Sequence, residues 1–304
     1  MKNLVVLFFS FFYLFIYSSC DKIEGPKLEN PIDNTIDSTE IGIVNTDTAF
    51  STLKKVLVED YTGHTCGNCP EAALVLDGLL ESSIKNHIVP LAIHAGSFAL
   101  PQISNPPQES DFPNDFRTDV GIELDAKFGI SAFGNPNGMI DRIGYPANHI
   151  TYHTDWQSKI EQRISLPAPL FLAIKNTYFP TSKKIKTEIK SNIVATLSGD
   201  YRMSVFLIED SIISDQKDYS LPPAINHVTN YVHKHMFRTS FNGTYGDDIA
   251  SNPTGTASNP IQIKKEYLID YSETWNKKHL YVVVFVYNKQ TYEVIQADYK
   301  KIKT

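Results

Sequence analysis

Two cysteines three residues apart are the side chains of this sequence best suited to chemistry. Cys66 and Cys69 stand in the segment TCGNCP (65–70), between an apolar run and a helix-like run. A thiolate at one position can attack a partner disulfide, and the thiol three residues later can then displace the partner. The third cysteine of the chain, Cys20, ends a hydrophobic leader that predicts export. The spacing therefore predicts reversible thiol–disulfide exchange outside the cytoplasm, with Cys66 attacking and Cys69 resolving.

The same pair admits two other interpretations. An exported protein can carry a purely structural disulfide, although such a short separation closes a small loop and stabilises a fold less than a long-range bridge. Alternatively, Cys66, Cys69, His64 and His94 offer four ligands of the kinds that zinc accepts. The sequence contains no second Cys-x-x-Cys. We therefore expect no metal and no cofactor, and exchange is the favoured interpretation.

The residues next to the pair favour a reactive thiolate. Pro70 suits the first turn of a helix, and Glu71 complements the positive end of the helix dipole. A helix that begins at the cysteines would lower the pKa of the Cys66 thiol, because its free N–H groups face the sulfur. His64, if protonated, would stabilise the thiolate further.

Alternating strand-like and helix-like segments surround the motif. The almost wholly apolar run at 87–94 predicts a strand that is covered on both faces. A proline-rich insertion follows it, and we expect this insertion near the reactive edge of the sheet. In chain order, the expected segments are a strand at 55–61, a helix from 70, the strand at 87–94, the insertion at about 96–114, a helix at 115–128 and a strand at 138–142.

This order of strand, Cys-x-x-Cys, helix, strand, helix, proline-containing turn and strand resembles the thioredoxin superfamily. The resemblance implies that Asp60, six residues before Cys66, is a buried carboxylate that helps to take the proton of Cys69. It also makes Pro136, preceded by Asn135, the candidate for the cis-proline that offers backbone groups to an extended substrate. Pro136 lies about two residues later than the superfamily pattern predicts.

A closer resemblance covers most of the mature chain. The sequence resembles a family of Bacteroidota lipoproteins related to a twenty-eight-kilodalton outer-membrane protein. The resemblance implies a thioredoxin-like domain, a β-rich C-terminal domain and anchoring at the outer membrane, with a poorly defined activity. The segments that carry it are DYTGHTCGNCP (60–70), IHAG (93–96), NPNGMIDR (135–142) and VHKHMFR (232–238).

The N-terminal residues predict a lipoprotein signal peptide and a tether. The apolar run at 4–17 is shorter than the roughly 20 residues that span a bilayer, and small residues lead to Cys20, the predicted lipidation site at the end of the signal peptide (1–20). An ordinary signal peptide cut nearby is the alternative. Residues 21–48 contain few large apolar side chains, and this composition predicts a flexible tether.

The remainder is long enough for two domains. We predict an α/β thioredoxin-like domain at 49–163, followed by an all-β, immunoglobulin-like sandwich at 164–304, where strand-like runs are separated by turn residues. The formal net charge is −6, and no basic stripe provides the footprint of nucleic-acid binding.

Two functions follow from these observations. The first is an outer-membrane-anchored lipoprotein, either periplasmic or surface-facing, that exchanges disulfides with the thiols or disulfides of exported proteins, as a thiol–disulfide oxidoreductase would. The second is a non-enzymatic surface protein that binds a ligand and uses the thioredoxin fold as a scaffold.

Overall fold

The computed structural model describes residues 35–36, 39–45 and 49–304. The predicted signal peptide with Cys20, and most of the predicted tether, lie outside the described residues. In the described part, no helix is both long enough and apolar enough to cross a bilayer. The described residues from Ile36 onward form one compact unit.

Strands dominate the second half of this unit, whereas the α-helices fall in the first half. The helices are α1 (Cys69–Glu81), α2 (Asp119–Phe128) and α3 (Trp156–Ile164). The strands are β1 (Ile43–Val44), β2 (Val56–Thr62), β3 (Ile88–His94), β4 (Asn137–Ile140), β5 (Leu170–Phe179), β6 (Lys184–Ile193), β7 (Asp200–Glu209), β8 (Ile212–Lys217), β9 (His227–His233), β10 (Met236–Ser240), β11 (Asp247–Ser251), β12 (Ile261–Asp270), β13 (Leu280–Asn288) and β14 (Val294–Lys301).

Strand β2 is the centre of a mixed α/β region. Every residue of β2 is buried, as expected for a strand with neighbours on both edges and layers on both faces. It pairs in parallel with β3 on one edge and antiparallel with β4 on the other. An isolated antiparallel bridge between Gly138 and Thr151 adds a further neighbour beyond β4. The region therefore contains a strand–helix–strand unit with parallel strands, followed by an antiparallel strand.

The sheet continues from this region into the second half of the chain. Its order is β14-β13-β7-β10-β3-β2-β4, with β11 also paired to β7. The link is a short parallel contact in which Met236 of β10 stands opposite Ala92 of β3, and the Ala92 N–H donates to the His235 carbonyl at 2.9 Å. The predicted halves, 49–163 and 164–304, thus share one sheet, and their division into two domains stays a prediction.

A second, antiparallel sheet covers one face of the shared sheet. Its order is β1-β5-β6-β12. Alternate residues of β7 point to opposite sides, so that Val205 packs towards the second sheet and Phe206 packs towards the α/β region. The observed architecture is therefore a mixed α/β region followed by antiparallel sheets, which agrees with the predicted fold class at this level.

A buried ion pair lies inside the α/β region. Arg142 donates two hydrogen bonds to the Glu59 carboxylate, both at 2.7 Å, and neither side chain is more than 1% exposed. The guanidinium also stacks against the rings of Phe128, Phe285 and Tyr287. Because Phe285 and Tyr287 belong to β13, Arg142 joins the two halves of the molecule.

Asp141, the preceding residue, is a second buried connection. Its carboxylate accepts hydrogen bonds from the Leu57 N–H, Lys54 and Arg163, each at 2.9 Å. Arg163 lies in α3 and also donates to the Val294 carbonyl of β14 at 3.1 Å. Asp141 and Arg142, the last two residues of the segment NPNGMIDR, are therefore both held by buried ion pairs that support the fold.

Candidate functional site

Cys66 and Cys69 form a disulfide at the end of β2, with their Cα atoms 5.4 Å apart. Helix α1 begins at Cys69, whereas Cys66 lies in the turn before it. The Cys66 N–H donates to the Gly63 carbonyl at 3.0 Å, and the Cys69 N–H donates to the Cys66 carbonyl at 3.2 Å. The helix predicted from residue 70 is therefore present and begins at Cys69, and Cys66 lies before it rather than in it.

Both cysteines are buried, with only 2% of each residue exposed. Asn68, between them, is the exposed residue of the motif. The residues that cover the motif belong to the end of β8 and the loop after it, and we call Gln216–Tyr219 the cover segment. Because only 2% of Cys66 is exposed, a partner protein cannot reach its sulfur in this conformation.

Backbone hydrogen bonds hold the cover segment against the cysteine loop. The Lys217 N–H donates to the His64 carbonyl at 2.8 Å, and the Tyr219 N–H donates to the Gly67 carbonyl at 2.7 Å. The Gln216 side-chain amide donates to the Cys66 carbonyl at 3.0 Å. These contacts were not predicted, because the sequence around Gln216 contains no reactive side chain and carries no motif.

The proline-rich insertion covers the other side of the motif. The Phe98 carbonyl accepts hydrogen bonds from the Thr65 N–H at 3.1 Å and from the Thr65 hydroxyl at 2.8 Å. Farther along the insertion, the Phe112 ring lies 6.0 Å from the His64 ring, centroid to centroid. The structure thus places this insertion beside the cysteine motif, at the edge predicted for it.

His64 lies in an aromatic cluster rather than in solvent. Its ring meets Phe116 edge to face, and Phe116 in turn contacts His94 and His233. Burial lowers the pKa of His64, an effect that the Phe112 backbone and nearby carboxylates oppose only in part. The neutral ring is therefore favoured while the cover is closed. The electrostatic role predicted for His64 requires the protonated ring and stays a prediction.

Burial also keeps the neighbouring histidines neutral. It lowers the pKa of His94 well below its ordinary value and lowers that of His233 to about 4. No group of three or more His, Cys, Asp or Glu side chains with the geometry of a metal site occurs among residues 35–36, 39–45 and 49–304.

Asp60 and Cys69 line the same small cavity. The cavity measures about 50 Å³ and lies between α1 and the strands beneath it. Asp60 is buried, its Oδ1 atom has no hydrogen-bond partner, and burial raises the pKa of its carboxyl to about 7. The other lining side chains include His94, Gln216 and His233. A carboxyl group that gains and loses a proton near neutral pH therefore lines the same cavity as the second cysteine.

Asn135 and Pro136 stand at the same end of the sheet as the cysteine loop. The peptide bond between them is cis, as the resemblance implied for Pro136. The next residue, Asn137, pairs with Tyr61 of β2, just before the turn that leads to Cys66. Pro136 is buried, and the side-chain amide of Asn135 is buried without a hydrogen-bond partner. The substrate-binding role of both residues stays a prediction.

The chain was compared with known proteins. Residues 123–304, more than half of the chain, match the model of the family described as outer membrane protein Omp28. The chain belongs to the Omp28 family. Membership confirms the predicted family and the predicted location at the outer membrane. The matched residues begin after the cysteine motif, so the role of Cys66 and Cys69 depends on their geometry.

Two solved structures are similar to this Omp28-family chain. HBP35 of Porphyromonas gingivalis matches with a TM-score of 0.60 and 16% identity, over 83% of this chain and 76% of that one. Identity this low indicates a shared fold only. A domain of the outer membrane lipoprotein Omp28 from Porphyromonas gingivalis matches over 44% of this chain and 86% of its own, with 20% identity and a TM-score of 0.28. No curated protein matches the chain.

Proposed function

We propose that this Omp28-family protein exchanges disulfides with other exported proteins at the outer membrane, where Cys20 anchors it through lipid. The shared cavity of Asp60 and Cys69 carries the proposal. A structural disulfide has no use for a buried carboxyl group with an unpartnered oxygen, and burying such a group costs stability. Groups of this kind concentrate at functional sites, where a pKa near neutrality allows proton transfer.

The arrangement around β2 supports a thioredoxin-like domain. A parallel neighbour follows the Cys-x-x-Cys helix, an antiparallel neighbour follows the cis-proline, and α3 comes last. Asp60 precedes Cys66 by six residues on the central strand. The second half packs two antiparallel sheets face to face, which supports an immunoglobulin-like sandwich that would position the partner.

The exchange proceeds in two balanced steps. In the reduced protein, the Cys66 thiolate attacks one sulfur of a partner disulfide. A bond forms between Cys66 and that sulfur, and the second partner sulfur leaves as a thiolate. Cys69 then gives its proton to Asp60 and attacks the Cys66 sulfur, which releases the partner as a dithiol. The partner gains two electrons and the Cys66–Cys69 bond forms; the reverse sequence oxidises a partner dithiol.

Trapping of the mixed disulfide tests the proposal. In Cys69→Ala, the bond between Cys66 and a partner cannot be resolved, so we expect adducts with envelope proteins on non-reducing gels. These adducts should be absent from Cys66→Ala/Cys69→Ala and should disappear on reduction. The proposal is refuted if Cys69→Ala forms no adduct and the wild-type protein does not reduce a model disulfide protein such as insulin.

One observation favours a second function. Both cysteines are buried in this conformation, as they would be in a surface-binding protein that uses the disulfide as a staple. In that case the cover segment never opens, and the trapping experiment gives no adduct in any variant.

A further inference from the structure

We infer that the cover segment, Gln216–Tyr219, is an internal substitute for the extended polypeptide of the exchange partner. The segment occupies backbone acceptors of the cysteine loop, and a partner strand would take the same acceptors. Binding of the partner and uncovering of Cys66 are then one event. This inference rests on the proposed function, because it names the class of substrate that the Cys66–Cys69 site accepts.

Two alternate backbone N–H groups of the cover segment bond to the cysteine loop. The donors are Lys217 and Tyr219, two residues apart, and the acceptors are the carbonyls of His64 and Gly67. Between the donors, Asp218 directs its N–H away from the cysteine loop, to the Asn226 carbonyl of its own hairpin. Alternate donors of this kind are what an extended peptide presents when it adds to an exposed backbone edge. A small thiol or a sugar does not present N–H groups at this spacing.

Gln216 attaches the cover segment at the reactive residue itself. Its side-chain amide donates to the Cys66 carbonyl at 3.0 Å and to the Lys217 carbonyl at 2.8 Å. The residue is 2% exposed. The cover segment therefore contacts the loop on both sides of the Cys66 sulfur, at His64 and at Gly67.

Gly67 permits the closed position. A Cβ atom added at Gly67 would lie 2.4 Å from the Tyr219 ring, which is well inside the distance that two non-bonded carbon atoms tolerate. Tyr219 is 57% exposed, so its ring has space to move outward into solvent. A side chain at position 67 would therefore displace the Tyr219 ring and remove its contact with the cysteine loop.

The hairpin that carries the cover segment does not belong to the large sheet. In the described part of the chain, β8 and β9 form a sheet of two strands. Two-stranded sheets are only marginally stable by themselves. The loop between the two strands is largely exposed. Release of the cover segment from the cysteine loop would therefore break its own hydrogen bonds but none of the strand pairings of the large sheet.

The experiment measures how fast dithiothreitol reduces the Cys66–Cys69 disulfide in the full mature chain. Gly67→Ala and Tyr219→Ala should each increase the rate about tenfold, since each weakens contacts that hold the cover closed. Gly78→Ala is the matched control, because Gly78 lies in α1 and an added Cβ meets nothing within 4 Å. Its rate should equal the wild-type rate.

A double-mutant cycle and a peptide complete the test. If Gly67→Ala acts through the Tyr219 ring, it should have no further effect in the Tyr219→Ala background. A synthetic peptide with the sequence SDQKDYSL (214–221), at millimolar concentration to match a tethered segment, should restore slow reduction in Tyr219→Ala, whereas a scrambled peptide should not. Unchanged rates in both single variants overturn the inference, and so does a peptide without effect. If the disulfide of the two single variants is reduced faster but Cys69→Ala traps no adduct, the proposed function is refuted, whereas the shielding of the disulfide by the cover segment stands.

Discussion

The protonation of Asp60 has a measurable consequence for stability. In the folded protein, burial raises the pKa of Asp60 to about 7, against an ordinary value of 3.8. A carboxyl group with a raised pKa binds a proton in the folded state at pH values where the unfolded chain has already lost it. Its effect on stability is therefore absent below about pH 4 and grows as the pH rises towards 7.

The size of the effect follows from the difference in pKa. About three pKa units, at about 1.36 kcal/mol each, amount to roughly 4 kcal/mol of destabilisation at alkaline pH. Between about pH 5 and pH 8, the ionisation of Asp60 alone should lower the free energy of unfolding by roughly 3 kcal/mol. Asp60→Asn stays neutral throughout this range, so the variant lacks this part of the pH dependence and gains stability relative to the wild type as the pH rises.

Equilibrium unfolding by urea measures this prediction. The free energy of unfolding is determined at about pH 5 and about pH 8 for the oxidised wild type, for Asp60→Asn and for Glu81→Gln. Glu81 is exposed at the end of α1, and its variant should retain the wild-type pH profile. If Asp60→Asn and the wild type lose stability equally over this range, then Asp60 is already ionised in the folded protein and the proton-acceptor argument fails.

Three further predictions concern the fold. Arg142→Met should destabilise the protein by about 3–5 kcal/mol, because it leaves the buried Glu59 carboxylate unpaired. Glu59→Leu/Arg142→Met should recover much of this loss. Thermal or urea unfolding measures both variants, and an equal loss in the single and double variants would contradict the reasoning. Cys66→Ser/Cys69→Ser should cost only about 2 kcal/mol, as expected for so short a loop, and a loss above about 4 kcal/mol would mark the disulfide as a main support of the fold. Gly129→Ala should cost about 1 kcal/mol, because Gly129 ends α2 at a φ of 68° in the left-handed region, and an unchanged midpoint of unfolding would show that this turn rearranges freely.

Local sequence pattern was sufficient for the elements that position the motif. The runs at 55–61 and 87–94 predict β2 and β3 to within one residue at each end, because both are rich in the β-branched and apolar residues that favour strands. The helix predicted at 115–128 begins instead at Asp119, where the Thr118 hydroxyl accepts the Gly121 N–H as an N-cap. Boundaries of this kind depend on single capping contacts, which hydrophobic spacing does not report.

The sequence pattern did not predict the different environments of the buried acidic residues. Glu59 and Asp60 are adjacent in a strand and both are buried, one paired with Arg142 and one without a partner for Oδ1. Alternating directions along the strand send the two side chains to opposite faces, so they meet different environments. The sequence shows two neighbouring acids and no sign that their partners differ.

The sequence by itself determined the chemistry that this protein carries and the elements around it, because the two cysteines, the carboxylate on the preceding strand and the apolar runs are local features. Only the tertiary structure decided that the Cys66 sulfur is covered. The covering residue Gln216 lies 150 positions along the chain from Cys66, and the cover binds chiefly through backbone N–H groups. Every residue except proline has such a group, so the composition of the cover segment gives no indication of what it binds.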